Sequence, residues 1–261
     1  MNFIVQENLW GEGNKLFEAL KKLGQDPTLV KVIPFSGMTE PDCSDLPNPK
    51  MAFGSTSLMR MAIKQKWSPG VYTNTFFDYR DWYIFWRDFL LNTSHVIGSI
   101  GTLREEDIPW PEFFVRPCGD FKQFAGRVMR RMNWADFQEV VMTLDSENEL
   151  NQDTHIVISP VQTIFEESRF FIVGCNEVSS CVFRQGDMIV KNNLIKPSVD
   201  SVRLVQRAIG KWAPHRNFVL DIAETPQGPR IVEANCINCA GFYQCDIEAV
   251  VTKILIEERV I

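Results

Sequence analysis

Two apolar strands joined by a tight polar turn constrain this chain more than any other stretch. "NFVLDIA" and "RIVEAN" flank "TPQGP", residues 225–229. Proline presets its own φ and glycine admits positive φ, so the segment reads as a β-hairpin. With the turn centred on Gln227, Asp221 and Glu233 lie equally far on either side and oppose one another on one sheet face. Asn235, two residues beyond Glu233, points to that same face. Carboxylates directly opposed across strands repel. A hard cation between them would remove the repulsion, since Mg2+ takes carboxylate, amide and phosphate oxygens. A register shifted by one residue would instead leave one acid solvated at the sheet edge. The hairpin alone leaves both readings open.

The rest of the chain alternates strand and helix. "MNFIVQ" reads as a strand, "NKLFEALKKLG" as an amphipathic helix closed by Gly24, and "TLVKVIPF" as a second strand. After a polar, Pro-rich loop (residues 37–50), "MAFGSTSLMRMAIKQ" reads as a strand turning through Gly54-Ser55 into a helix, whose N-terminus can take an anion or simply be capped there. "DYRDWYIFWRDFLLN" reads as a helix whose stripe of Trp82, Phe85, Trp86 and Phe89 is expected in the core beneath the N-terminal sheet. These elements make one α/β unit, residues 1–105, with "REEDIPWPE" as a linker. Residues 106–261 then give the strand "EFFVRP", helical "DFKQFAGRVMRRM" and "WADFQEVVMTL", the strand "THIVIS", and two strands around Gly174-Asn176. A helix follows with Val202, Val205, Ile209 and Trp212 on one face, then the hairpin, and "DIEAVVTKILIEE" closes the chain as an amphipathic helix.

Composition narrows the function. The net charge of −6 disfavours a general nucleic-acid groove. The N-terminus has no secretory pattern and no apolar run reaches membrane-spanning length. Seven cysteines, an odd number, without an export signal imply free thiols in a reducing cytoplasm. The three histidines are scattered, which argues against a histidine metal site. Cys236-Ile237-Asn238-Cys239 has the spacing of a zinc or redox motif. Zinc needs four ligands, however, and only Cys245 is nearby as a third; no thioredoxin-like βαβ pattern surrounds the pair.

The ordered motifs "FFVRP…FKQFAG", "ESRFFIVG", "FVLDIA" and "IVEAN…GFY" resemble the ATP-grasp superfamily. They are most similar to the clade, common in phages and bacteria, with arginine in place of the usual lysine of its "vKP" strand. "FGSTSLMRMA…SPGVYTN" and Asn92 carry the same resemblance, which therefore spans nearly the whole chain. It implies an ATP-grasp fold of two α+β lobes within 106–261, preceded by an N-terminal α/β domain over 1–105. It also implies ATP and a pair of Mg2+ ions, the metal held by Asp221, Glu233 and Asn235, the residues the hairpin geometry had placed together.

Further roles follow from the resemblance. Arg116 takes the lysine position and would meet ATP phosphate with a bidentate fork rather than a point charge. Lys122 would add an ammonium. Gln162, Thr163 and Ile164, in a connector near 159–166, would read the adenine, with Ile164 or Val161 against the purine face. Glu167 and Arg169 match an acid-x-Arg pair on one strand face, so the acid would orient the arginine or bind ribose while the arginine meets phosphate or substrate carboxylate. Arg184 would meet the transferring group, and Gly241-Phe242-Tyr243 would close the loop toward the substrate pocket. The implied reaction is ATP-dependent carboxylate–amine ligation through an acylphosphate, on an amino acid, peptide or protein terminus. The rivals are an ATP-grasp kinase that stops at phosphorylation and a non-catalytic nucleotide-binding or inhibitor protein on the same fold.

Overall fold

The apolar run Phe3-Ile4-Val5 is buried on both sides, as a strand must be when helices or sheets cover both faces of a largely parallel sheet. The structure is a computed structural model that describes residues 1–7, 12–33, 36–72, 77–119, 123–144, 150–191 and 194–259, with only the backbone of Cys239 among them. By packing the chain forms two compact units, Met1–Thr75 with Phe165–Ile261, and Phe76–Ile164.

The discontinuous unit begins with β1 (Asn2–Gln6), α1 (Glu12–Lys22), β2 (Thr28–Ile33), β3 (Met38–Glu40), β4 (Lys50–Phe53), α2 (Thr56–Lys64) and the short β5 (Pro69–Gly70). The sheet order is β3-β2-β1-β4-β5; β1 runs parallel to β2 and β4, and β3 antiparallel to β2. Leu16, Ala19 and Leu20 form the buried stripe of α1. Lys50 is buried, yet its ammonium donates to the carbonyls of Cys43 (2.8 Å) and Ser44 (2.9 Å) and lies over the Trp67 ring.

The continuous unit holds α3 (Tyr79–Trp86), β6 (Val96–Ser99), β7 (Glu112–Pro117), β8 (Arg127–Arg130), α4 (Trp134–Met142) and β9 (His155–Pro160). Its four strands form an antiparallel sheet, order β6-β9-β7-β8, over a core that includes Phe113, Val115, Trp134, Ile156 and Ile158. Three expectations change here. "GRVMRR" is the edge strand β8 rather than helix, because it supplies the ladder that β7 lacks on that side; Gly126 passes so close to the Phe114 ring that a Cβ would sit 2.5 Å from it. The strand β6 is additional to the expected elements; it pairs with β9, on the far side of the expected linker. Of the aromatic stripe, Trp82 and Trp86 are fully buried while Phe85 is exposed, and the stripe belongs to this unit, not beneath the N-terminal sheet.

The chain then returns to the first unit with β10 (Glu166–Val173), β11 (Asn176–Gln185), the short β12 (Met188–Ile189), α5 (Val199–Lys211), β13 (Phe218–Thr225), β14 (Gly228–Asn235) and α6 (Ile247–Glu257). Gly174 and Cys175, both at positive φ, turn β10 into β11. The sheet is antiparallel, order β12-β11-β10-β13-β14. The buried face of α5 is Ser201, Leu204, Val205 and Ala208, rotated from the expected stripe; Val202, Ile209 and Trp212 are half-buried at its margin. Phe3, Val5, Leu16, Leu20, Met51 and Phe53 share one core with Phe171, Val173, Val219, Val250, Ile254 and Leu255, so both ends of the sequence stabilise each other.

Candidate active site

The β13–β14 hairpin opposes Asp221 and Glu233, as the sequence led us to expect, but by a different route. Thr225 pairs with Gly228 across the two-residue turn Pro226-Gln227, and regular pairing from there brings Ile222 opposite Ile231. The next step would place Val232 opposite Asp221. A bulge at that point absorbs Val232, and Asp221 meets Glu233. The turn centre is thus half a residue off the expected one, and the bulge restores the parity. Asn235 follows two residues on, and its Nδ2 donates to Glu233 Oε1 at 2.8 Å.

One strand further across, Arg169 of β10 pairs directly with Asp221. Its Nε and Nη2 donate to the two Asp221 oxygens at 2.8 and 2.7 Å, a bidentate pair with both residues buried. Burial alone would lower the guanidinium pKa; the Asp221 carboxylate outweighs it, so Arg169 stays charged. Its Nη1 donates to the Gly241 carbonyl at 2.9 Å. The guanidinium also lies 4.9 Å from the centroid of Tyr243 and 5.4 Å from that of Phe183, two rings stacked on each other at 4.8 Å. The expectation that Glu167 orients Arg169 is corrected: Glu167 pairs with Arg184, whose Nη1 donates to it at 3.1 Å, because a bulge between Glu167 and Ser168 brings Arg184 into register. Burial pushes the Glu167 carboxyl up, Arg184 opposes this, and Asp221 and Glu233 add to the rise, so the three acids share one field.

The loop after β14 is tied down at several points. Asn238, the residue between the conspicuous cysteines, is buried; its Oδ1 accepts from the Tyr72 backbone N–H at 2.6 Å, its Nδ2 donates to the Ala52 carbonyl, and its own carbonyl accepts from Gly54 N. Glu12 accepts from the Phe242 N–H at 3.0 Å. Cys236 lies against Met59, and Cys245 against Cys181 rather than against Cys236. The motif therefore closes a loop, and among the described residues no group of three or more His, Cys, Asp or Glu side chains is arranged to hold a metal. Gln6 accepts from Ser55 N at 2.9 Å, so the N-terminus of α2 is capped from β1 and not by Ser55 itself.

In the other unit, Arg116 on β7 is buried, with its guanidinium 5.2 Å from the centroid of Trp82. Gln162, Thr163 and Ile164 lie outside regular structure between β9 and β10, where the chain passes from one unit to the other. Lys122 lies outside the described residues. Sequence reasoning missed Tyr243 and Phe183 as partners of Arg169. The "GFY" triplet was the available signal for the first; nothing in the sequence pointed to the second.

Asp221, Glu233 and Asn235 fit magnesium. The three supply hard oxygens only, and Mg2+ commonly takes one or two carboxylates and completes its shell with phosphate and water. A carboxylate has about four acceptor positions, so the Arg169 fork occupies only part of Asp221.

Strand order, register and this acid–acid–amide set together define an ATP-grasp fold, and solved structures agree. The D-cycloserine synthetase DcsG superposes with a TM-score of 0.66 at 11% identity, over 100% of this chain and 99% of that one. D-alanine–D-alanine ligase from Bacillus anthracis gives 0.66 at 9%, over 99% and 97%. The ATP-grasp ligase PsnB, complexed with a phosphomimetic variant of its minimal precursor, Mg and ADP, gives 0.54 at 13%, over 98% of each chain. No curated protein sequence matches. Residues 30–254 match the model of the ATP-grasp domain of the R-to-K clade, family 3, and the chain belongs to that family. No helix among the described residues is long and apolar enough to cross a membrane.

Proposed function

We propose that the chain is an ATP- and Mg2+-dependent carboxylate–amine ligase of the reducing cytoplasm, with residues 1–105 as its N-terminal α/β domain and 106–261 as the ATP-grasp domain along the sequence. The observation that carries this reading is the row Arg169–Asp221–Glu233 with Asn235, which sets a buried cation beside a hard-oxygen set on one sheet face. Asp221, Glu233 and Asn235 hold magnesium, which when bound neutralises the phosphates of ATP. Arg116 contacts phosphate, with Lys122 adding charge; Gln162, Thr163 and Ile164 contact adenine, and Glu167 the ribose. Arg169, held by Asp221, the Gly241 carbonyl and two rings, acts with Arg184 to stabilise the oxyanions as the substrate carboxylate takes the γ-phosphoryl group and an amine then displaces phosphate. The names of the similar structures, a D-alanine–D-alanine ligase and a ligase complexed with its precursor, favour an amino acid or peptide as substrate.

The test is ADP release with Mg2+-ATP over pooled carboxylates and amines, with mass spectrometry of the products. A condensed product is expected; ADP with a phosphorylated product and no condensation would make the chain a kinase instead. Glu233→Gln and Asp221→Asn are each expected to lower turnover by about 10²-fold or more. Full activity in both variants would overturn the site.

A further inference from the structure

Cys181 and Cys245 are 64 residues apart, both buried, with their sulfurs 3.1 Å from one another. Cys181 sits on β11 directly opposite Arg169, and its Sγ faces the Phe242 carbonyl at 3.9 Å. Cys245 ends the loop that carries Gly241 and Tyr243, and its Sγ faces the Arg169 carbonyl at 3.8 Å. The two thiols therefore join the strand and the loop that together surround the Arg169 side chain. The other described cysteines are placed differently: Cys43 faces the Pro41 carbonyl, Cys236 faces Met59, and Cys175 is exposed.

We propose that Cys181 and Cys245 are a modification site, a thiol pair that a two-electron oxidant of the hydroperoxide class converts to a disulfide, clamping the 236–246 loop onto β11. The sulfurs need approach by only about 1 Å to reach bonding distance. The Cys245 thiol, hydrogen-bonded to Cys181, favours the Cys181 thiolate, while burial and that same bond hold Cys245 protonated. With hydrogen peroxide, the Cys181 thiolate attacks one oxygen; an S–O bond forms, the O–O bond breaks, and the departing hydroxide takes a proton to become water. Cys245 then attacks the Cys181 sulfur, an S–S bond forms as the S–O bond breaks, and the sulfenic oxygen leaves as a second water with the remaining proton. Two thiols are oxidised by two electrons and the peroxide is reduced to two waters.

The thiol pair stands whichever substrate the chain uses. Full-length protein is treated with hydrogen peroxide or kept in dithiothreitol, then denatured, alkylated with N-ethylmaleimide and mapped without reduction. The expected result is a loss of two hydrogens, a linked peptide containing Cys181 and Cys245, and a rise of several degrees in Tm that dithiothreitol reverses. Cys245→Ala and Cys181→Ala are each expected to lose the link and the rise, whereas Cys175→Ala keeps both. Alkylation of both residues after peroxide treatment of the unsubstituted protein, or a link from either to another cysteine, would overturn the proposal without reference to the variants.

Discussion

Arg169 and Asp221 show how much one buried contact can hold. Their bidentate bond lies in low dielectric, so removing one partner strands the other charge. Arg169→Met is expected to cost about 3–5 kcal/mol in urea unfolding, and the double variant Arg169→Met with Asp221→Asn to recover much of that loss. A loss in the double variant equal to the sum of the singles would show that the pair is not coupled. Lys50 has no carboxylate at its ammonium, only two carbonyls and a ring face. Lys50→Met leaves those carbonyls unsatisfied and is expected to cost about 2–4 kcal/mol. The acids of the site were legible because alternation and a turn fix which residues share a face. The true partner of Arg169 was not, since nothing in "ESRFFIVG" reveals which neighbouring strand lies beside it; only the observed β10–β13 pairing puts Asp221 there.

Among the elements, α3 shows a local signal that works. Asp78 caps it, accepting from the Arg80 N–H at 2.9 Å and from the Arg80 guanidinium through both oxygens at 2.8 Å. Burial alone would raise the Asp78 pKa, but the Arg80 bonds outweigh it and hold the carboxyl below its ordinary 3.8. A depressed acid adds stability above its unfolded pKa and loses it as pH falls through the folded one. Asp78→Asn is therefore expected to lose less stability than the unsubstituted protein between about pH 4 and the folded pKa below it, as followed by acid unfolding. Asp78→Ala should cost about 1 kcal/mol at neutral pH through the lost cap. Edge strands were the least legible elements. β8 carries no alternation strong enough to mark it, and its state is set by the open side of β7, which lies outside its own sequence. Register was recovered at the hairpin only because the bulge at Val232 offsets the half-residue displacement of the turn. A one-residue insertion within Pro226-Gln227 is thus expected to keep ligase activity, whereas one between Val232 and Glu233 should abolish it; ADP release distinguishes the two.

At the scale of the whole molecule, packing cuts the chain differently from its linear order. Residues 76–164 have their own sheet and core, so that segment expressed alone is expected to give a dispersed NMR spectrum. Residues 165–261 alone should not, because Phe171, Val173, Val219, Val250 and Ile254 would face water where Phe3, Val5, Leu16 and Phe53 cover them. The order of motifs along the chain told us the fold, but long-range closure is carried by side chains more than 100 positions apart, and no local pattern encodes it. The shared core also has a consequence for synthesis. A ribosome adds about 5–20 residues per second, so the first 75 residues wait roughly 10–40 s for the last segment to emerge. During that interval the apolar underside of the first sheet is uncovered while the middle segment is already able to fold. The part of the protein made first is completed last, and the nascent chain is most exposed to chaperones and to aggregation while it waits.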